Sequence, residues 1–219
     1  MAFRFLFLVF GTLISTCPLL AGDLVSPIDV AAVRAANGTE IKPSTCKQPP
    51  PPLRNLDFPS FYKPNTNSSE VDHANERAYR DAYRPIGDFE KGIIRRSDRY
   101  VLSVPEMPEF AICVLKWLES WAKADAMLGD ASQQGGYVRK WTLGTVSMAY
   151  LKIRDSYSLD IASKQRVIEW IGNWAAIVRE DYSTGMHRSS RNNNHSYWAG
   201  RCVIGASIAL HDRCNFDWE

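Results

Sequence analysis

The clearest periodicity in the chain lies at Val167, Ile168, Ile171, Trp174, Ala175 and Val178, where apolar residues recur three and four positions apart. That step lines one face of an α-helix. Val138, Trp141, Thr145 and Met148 keep the same spacing. Pro108 opens a further helical run that extends to about Leu128. In it Ile112, Leu115, Leu118 and Ala122 fall on one side, and Cys113, Trp117 and Ala124 on another. A helix that is apolar on two sides packs between neighbours. Glu76 to Arg96 is broadly helical, with an interruption expected at Pro85, because proline lacks an amide hydrogen and crowds the preceding turn. A last helix begins near Asn194 and ends near His211, and Gly200, Gly205 and Ala209 keep part of its surface small enough for close packing. No segment alternates with period two. Helices of roughly 15 to 20 residues with short links predict an all-α protein of stacked antiparallel pairs.

The first 72 residues are different. Arg4 precedes the apolar run Phe5 to Ile14, which is too short to span a bilayer, and Ala21 offers a small residue for cleavage. These are the parts of a secretory signal peptide, so residues 1–21 are set aside from the fold. Residues 22–72 read as an irregular strap and lid. Pro49 to Pro52 is a stiff, extended run, and Asn65 to Asp72 is polar and turn-rich. Residues 73–219 form the helical domain. With the leader removed, no stable membrane insertion is expected, and the chain belongs in the periplasm or outside the cell.

Length and charge narrow the picture. A chain of 219 residues with a net charge of +2 suits one domain with a sizeable core. The charge is too even to argue for nucleic acid. Export implies an oxidising compartment. Without Cys17 four cysteines remain, Cys46, Cys113, Cys202 and Cys214, which allow three complete pairings. Cys202 and Cys214 would sit at opposite ends of one helix, roughly 18 Å apart, too far for a bridge. Cys46 with Cys113 is therefore favoured, tying the strap to a helix. No cysteine–histidine spacing resembles a zinc site.

Glycine-rich phosphate loops, nucleophile elbows and the HExxH pattern are absent. Of the four histidines, His73, His187 and His211 have ordinary surroundings, whereas His195 follows Asn192, Asn193 and Asn194 and precedes Tyr197 and Trp198. One asparagine would serve as a helix cap. Three beside a histidine supply uncharged donors for a carboxylate, and the two rings supply flat apolar faces. A uronic-acid polymer needs such a set. Removing its C5 proton builds a carboxylate dianion, which amide donors stabilise. A neutral imidazole takes a proton near neutral pH. A second acid then protonates the leaving oxygen at C4, and β-elimination leaves an unsaturated sugar end.

The run Asn193-Asn194-His195-Ser196-Tyr197-Trp198 resembles the NNHSYW signature of the periplasmic alginate lyases, the poly(β-D-mannuronate) lyases. Further motifs are similar in the same order: Cys113 to Trp117 with Trp121 to Ala124, Arg139-Lys140-Trp141 with Gly144, Ile168-Glu169-Trp170 with Val178-Arg179, and Asn215 to Trp218. The likeness runs from about Cys46 to Glu219. It implies an incomplete (α/α) toroid with a deep groove for the polymer, and alginate or another uronate polysaccharide as the partner. It implies that Asn194 neutralises the substrate carboxylate and that His195 is the base or assists it. Arg139, Lys140 and Trp141 would line the groove together with Tyr197, although the apolar stripe equally suits a buried Trp141. Cys46 falls where the family has its first half-cystine, with Cys113 as partner. No metal or other cofactor is required by the motif.

Two departures stand out. The family carries a Lys-Tyr pair on a flexible lid, whereas Tyr62 and Lys63 stand here in reverse order. The family also continues into a C-terminal part with an arginine and an acid tyrosine, to which nothing before Glu219 corresponds. The reading that follows is a polysaccharide lyase acting on alginate. The alternative is a catalytically incomplete fragment that binds uronate polymers without cleaving them, or serves their export. An unsaturated product separates the two.

Overall fold

In a computed structural model, residues 24–66, 69–185 and 194–211 are described. The leader, Asn192, Asn193, His187, Cys214 and the Asn215–Trp218 segment lie outside them. The described residues form six helices: α1 (Val30–Asn37), α2 (His73–Leu102), α3 (Pro108–Lys123), α4 (Gln133–Ile153), α5 (Ile161–Ser183) and α6 (Asn194–Leu210). Their only β pairing is three isolated bridges. None of the described helices is long and apolar enough to cross a membrane.

Short polar residues start most of these helices. Asp72 caps α2 through the amides of Ala74 and Asn75, Ser132 caps α4 through Gly135, and Asp160 caps α5 through Ser163. Each side chain satisfies amides that the first helical turn leaves unpaired. Pro108 occupies the first turn of α3, where its missing amide hydrogen is harmless. Two expectations fail here. Pro85 lies inside α2, which runs unbroken for 30 residues; its packing against α3 and α4 outweighs the single lost hydrogen bond. The strap also holds the short helix α1, which is capped by Asp29 and has no buried residue. Val30 and Val33 rest half-buried on the core, but eight residues are too short a run to stand out in the pattern.

Side-chain contacts give the directions of the helices. Phe89 stacks on Trp121 at 3.7 Å while Arg99 covers Phe110 further along, so α2 and α3 are antiparallel. Arg139 meets Asp181 and Arg154 meets Lys164, so α4 and α5 are antiparallel too. By contrast Lys140 meets His195 and Arg154 reaches the Ile208 carbonyl, which makes α4 and α6 parallel. Tyr79 bonds Gln134 and Asp98 bonds Lys152, so α2 and α4 are parallel as well. Thus α2, α4 and α6 run the same way in one layer, and α3 and α5 run the opposite way in the other. The core fills the space between them, with Phe89, Trp121, Trp174 and Leu143 fully buried.

The strap crosses α3. A disulfide joins Cys46 to Cys113 with Cα atoms 5.5 Å apart, as the spacing argument favoured. The indole N–H groups of Trp117 and Trp121 donate to the Lys47 and Pro50 carbonyls at 2.6 and 3.0 Å. Further on, the Met127 and Gly129 amides donate to the Leu53 and Arg54 carbonyls, and the Leu56 amide donates to that of Asp130. Gly135 is required at the start of α4, because a Cβ there would strike the Leu56 carbonyl.

Candidate functional site

The parallel layer brings the early turns of α4 beside the start of α6, and α5 closes the arrangement from behind. Lys140 sits at the centre and is fully buried. Its ammonium nitrogen lies 2.9 Å from the Tyr182 hydroxyl, 2.8 Å from His195 Nδ1 and 3.2 Å from the His195 carbonyl oxygen. An ammonium has three hydrogens to donate and no acceptor, and here three acceptors surround it. Nδ1 of a neutral His195 therefore accepts, and the ring proton sits on Nε2. Burial lowers the Lys140 pKa to about 8. Burial raises that of Tyr182, which keeps its phenol protonated.

Aromatic rings frame the imidazole. Tyr137, one turn before Trp141 on α4, stacks on His195 with centroids 4.4 Å apart, and Trp141 stands 6.3 Å away. Trp141 is 41% exposed, which answers the sequence's open question in favour of the surface. Trp198, 39% exposed, faces it across a cavity of about 430 Å³ that Met148, Ile94 and Arg201 also line. The Arg201 guanidinium lies over the Trp198 ring at 5.1 Å. Close approach of α4 and α6 forms the floor, where a Cβ on Gly144 would come within 2.8 Å of Cys202 Sγ. Burial pushes the Cys202 thiol up to about 11. Asn194 is exposed at the first position of α6, beside His195.

Two residues expected on the groove surface are inside instead. Arg139 is 4% exposed; its Nε donates to the Met127 carbonyl at 2.9 Å, another of its nitrogens donates to the Gly129 carbonyl, and Asp181 is 3.4 Å away. Lys140 is occupied as described above. A contiguous Arg-Lys-Trp run cannot put three side chains on one helical face, since successive residues are about 100° apart. Only Trp141 points outward. Of the two cations that line the groove among the described residues, Lys152 is paired with Asp98, which leaves Arg201, which sequence reasoning missed, as it missed Tyr137 and Tyr182. Arg201 could have been found from its place three residues after Trp198, on the same face of α6.

The remaining candidates lie elsewhere. Tyr197 is exposed, edge-on to Trp198 at 6.2 Å. Tyr62 and Lys63 belong to a short antiparallel turn in which the Lys63 amide donates to Glu70 and the Asp72 amide to Phe61. The Lys63 ammonium is held by the Glu70 carboxylate at 3.1 Å. Phe61 packs on Tyr79 at 4.2 Å, and Tyr79 bonds Gln134 in the first turn of α4. The turn is thereby anchored at the end of α4 that leads to Tyr137, but no hydrogen bond or ring contact joins Tyr62 or Lys63 to His195 among the described residues.

The alginate lyase family model matches residues 57–219, three quarters of the chain. The chain belongs to the alginate lyase family. Among its relatives, an alginate lyase of Pseudomonas fluorescens strain SBW25 is 32% identical over 192 residues, which are 86% of this chain and 51% of that protein. One from Cobetia marina is 30% identical over 182 residues, 81% and 48% of the two chains. Solved structures agree. Alginate lyase A1-III from Sphingomonas species A1 superposes with a TM-score of 0.69 at 27% identity, over 87% of this chain and 56% of its own. A variant of A1-III complexed with a tetrasaccharide gives 0.73 at 27% identity, over 87% and 55%. The chain spans about half the length of the alginate lyases it matches. With these neighbours, the two opposed layers are an incomplete (α/α) toroid, as the family resemblance implied.

Proposed function

We propose that the chain is a lyase that cleaves mannuronate-rich alginate by β-elimination, leaving unsaturated uronate ends. The observation that carries this reading is the buried Lys140 bonded to His195 beside an aromatic groove. Trp141 and Trp198 offer faces for sugar rings, and Arg201 offers charge for uronate carboxylates. Asn194 donates to the carboxylate of the sugar that reacts. Family membership supports the same substrate class.

The protonation state of Lys140 sets what His195 does. As an ammonium, Lys140 keeps the ring proton on Nε2, and His195 then donates to the carboxylate rather than acting as base. As a neutral amine, Lys140 still donates to Tyr182 and the His195 carbonyl, and its lone pair accepts Nδ1–H. Nε2 is then free to take the C5 proton. The electron pair of that C–H bond forms the new double bond as the C4–oxygen bond breaks. The leaving oxygen takes its proton from a second group, and Tyr137, in ring contact with His195, is the phenol offered for that role.

The site of action is the periplasm or the cell exterior. The Cys46–Cys113 disulfide supports this, since such bonds persist in oxidising compartments. The leader-free chain, shown to be folded, is to be mixed with polymannuronate while ultraviolet absorbance of the unsaturated product is followed. A steady rise is expected. A flat trace would mean that the chain binds uronates without cleaving them.

A further inference from the structure

A second concave surface lies on another flank of α2. Its volume is about 350 Å³, and Lys47, Lys91, Arg95, Arg96 and Arg99 line it. It shares no lining residue with the Trp141 groove. Lys91, Arg95 and Arg99 recur every four residues and so stand in a row along the helix, about 6 Å apart per step. None of the five cations is ion-paired among the described residues. Two of the neighbouring carboxylates are engaged elsewhere: Asp98 by Lys152 at 2.5 Å, and Glu90 by the Tyr83 hydroxyl.

The cleft is held in shape before any ligand arrives. Arg96 lies over the Trp117 indole at 4.3 Å and donates to the Gly92 carbonyl at 3.1 Å. Arg99 covers Phe110 at 5.5 Å. The opposite wall is the strap, where the Cys46–Cys113 disulfide and the 2.6 Å bond from Trp117 to the Lys47 carbonyl pin Lys47 from both sides. Ser44 and Thr45 add hydroxyls beside it. Burial first, then the charges of Arg95 and Arg99, press the Arg96 pKa below its ordinary value. Like charges held this close repel, and an anion relieves the repulsion.

We propose that this cleft is a second site for an acidic polysaccharide, one that holds a uronate polymer without cleaving it. A row of evenly spaced cations suits a linear polymer with a charge on every sugar better than a single compact anion. No imidazole or asparagine amide lines it, so it has no base for elimination. The identity of the ligand rests on the lyase reading above; the cation row does not.

The test uses the whole chain, a labelled mannuronate oligosaccharide and fluorescence anisotropy at low salt, with neutral amylose as a control. Lys91→Gln with Arg95→Gln is compared with Trp141→Ala and with Arg95→Lys. Added to Trp141→Ala, which weakens the groove, the double substitution should lower affinity a further five- to tenfold, about what the loss of two exposed ion pairs costs. Arg95→Lys should bind nearly as the wild type, and amylose should not bind at all. The double variant should still eliminate short oligomers at the wild-type rate. An affinity equal to that of Trp141→Ala alone would overturn the proposal. If binding falls as expected while no unsaturated product forms from any variant or from the wild type, the lyase reading fails and the second site stands.

Discussion

Lys140 Nζ lies 2.8 Å from His195 Nδ1, across two helices and 55 residues of sequence. The lysine is fully buried, and its pKa is brought down to about 8. In the proposed mechanism a lysine there sets the tautomer of the histidine. Elimination should therefore rise with pH through about 8, as the neutral amine frees Nε2. Lys140→Met should lose this inflection and slow turnover by about tenfold or more, within the range general-base catalysis supplies. A pH–rate profile of both proteins checks it. A wild-type rate that falls through pH 8 would assign His195 to donation instead.

The same lysine links pH to stability. Its pKa is about 8 when folded and about 10.5 when unfolded. Over that window the unfolded chain binds more protons, so stability rises with pH and is lost as pH falls through 8. Between pH 7.5 and 9 the wild type should gain about 1 kcal/mol over Lys140→Met. Above pH 9 Cys202 opposes the trend, because its folded pKa is raised to about 11 from 9. Urea denaturation across the pH series measures both effects.

Arg139→Met should destabilise the fold by about 3 to 5 kcal/mol, the usual consequence of leaving a buried ionic partner alone. The change uncovers Asp181 and removes the donors that close the loop at Met127 and Gly129. Denaturation midpoints would show it. A shift of under 1 kcal/mol would mean that Arg139 is not the loop's clasp.

Trp141→Ala and Arg201→Ala should weaken polymannuronate binding, each raising KM roughly tenfold, with stability changed by less than about 0.5 kcal/mol for the exposed arginine. Steady-state kinetics and a melting curve separate these effects. An unchanged KM in both variants would place the polymer elsewhere.

Opening the disulfide with Cys46→Ser should cost about 4 kcal/mol for a loop of 67 residues. The stretch from Cys46 to Pro52, ahead of the backbone bonds at Leu53 to Leu56, should loosen first, seen as faster protease cleavage near the proline run. Equal cleavage rates in variant and wild type would show that the indole bonds suffice to hold it.

Much of the fold was legible because it rests on one-face periodicity. The α5 stripe from Val167 to Val178 is buried apart from the half-buried Ile168, and α6 starts at Asn194 and ends within a residue of His211. What the sequence hid was three-dimensional pairing. The parallel course of α4 and α6 depends on α5 lying behind them, so nothing local foretells that Lys140 faces His195. Adjacent residues with similar chemistry, such as Arg139 and Lys140, looked like one basic patch until the helical turn separated them from Trp141. Pro85 misled for the opposite reason: its local penalty is real, but long-range packing outweighs it. The four core tryptophans and the two exposed ones were indistinguishable by composition alone.

The strap has little regular structure, yet its backbone is bonded at Leu53, Arg54 and Leu56 to the loop that Arg139 closes. Arg139 is the immediate neighbour of Lys140. Local opening of the strap therefore cannot proceed without disturbing the helix that holds the histidine's partner. In the language of amide exchange, the strap and the first turns of α4 form one cooperative unit. A surface segment that looks dispensable should exchange its bonded amides as slowly as the buried helices.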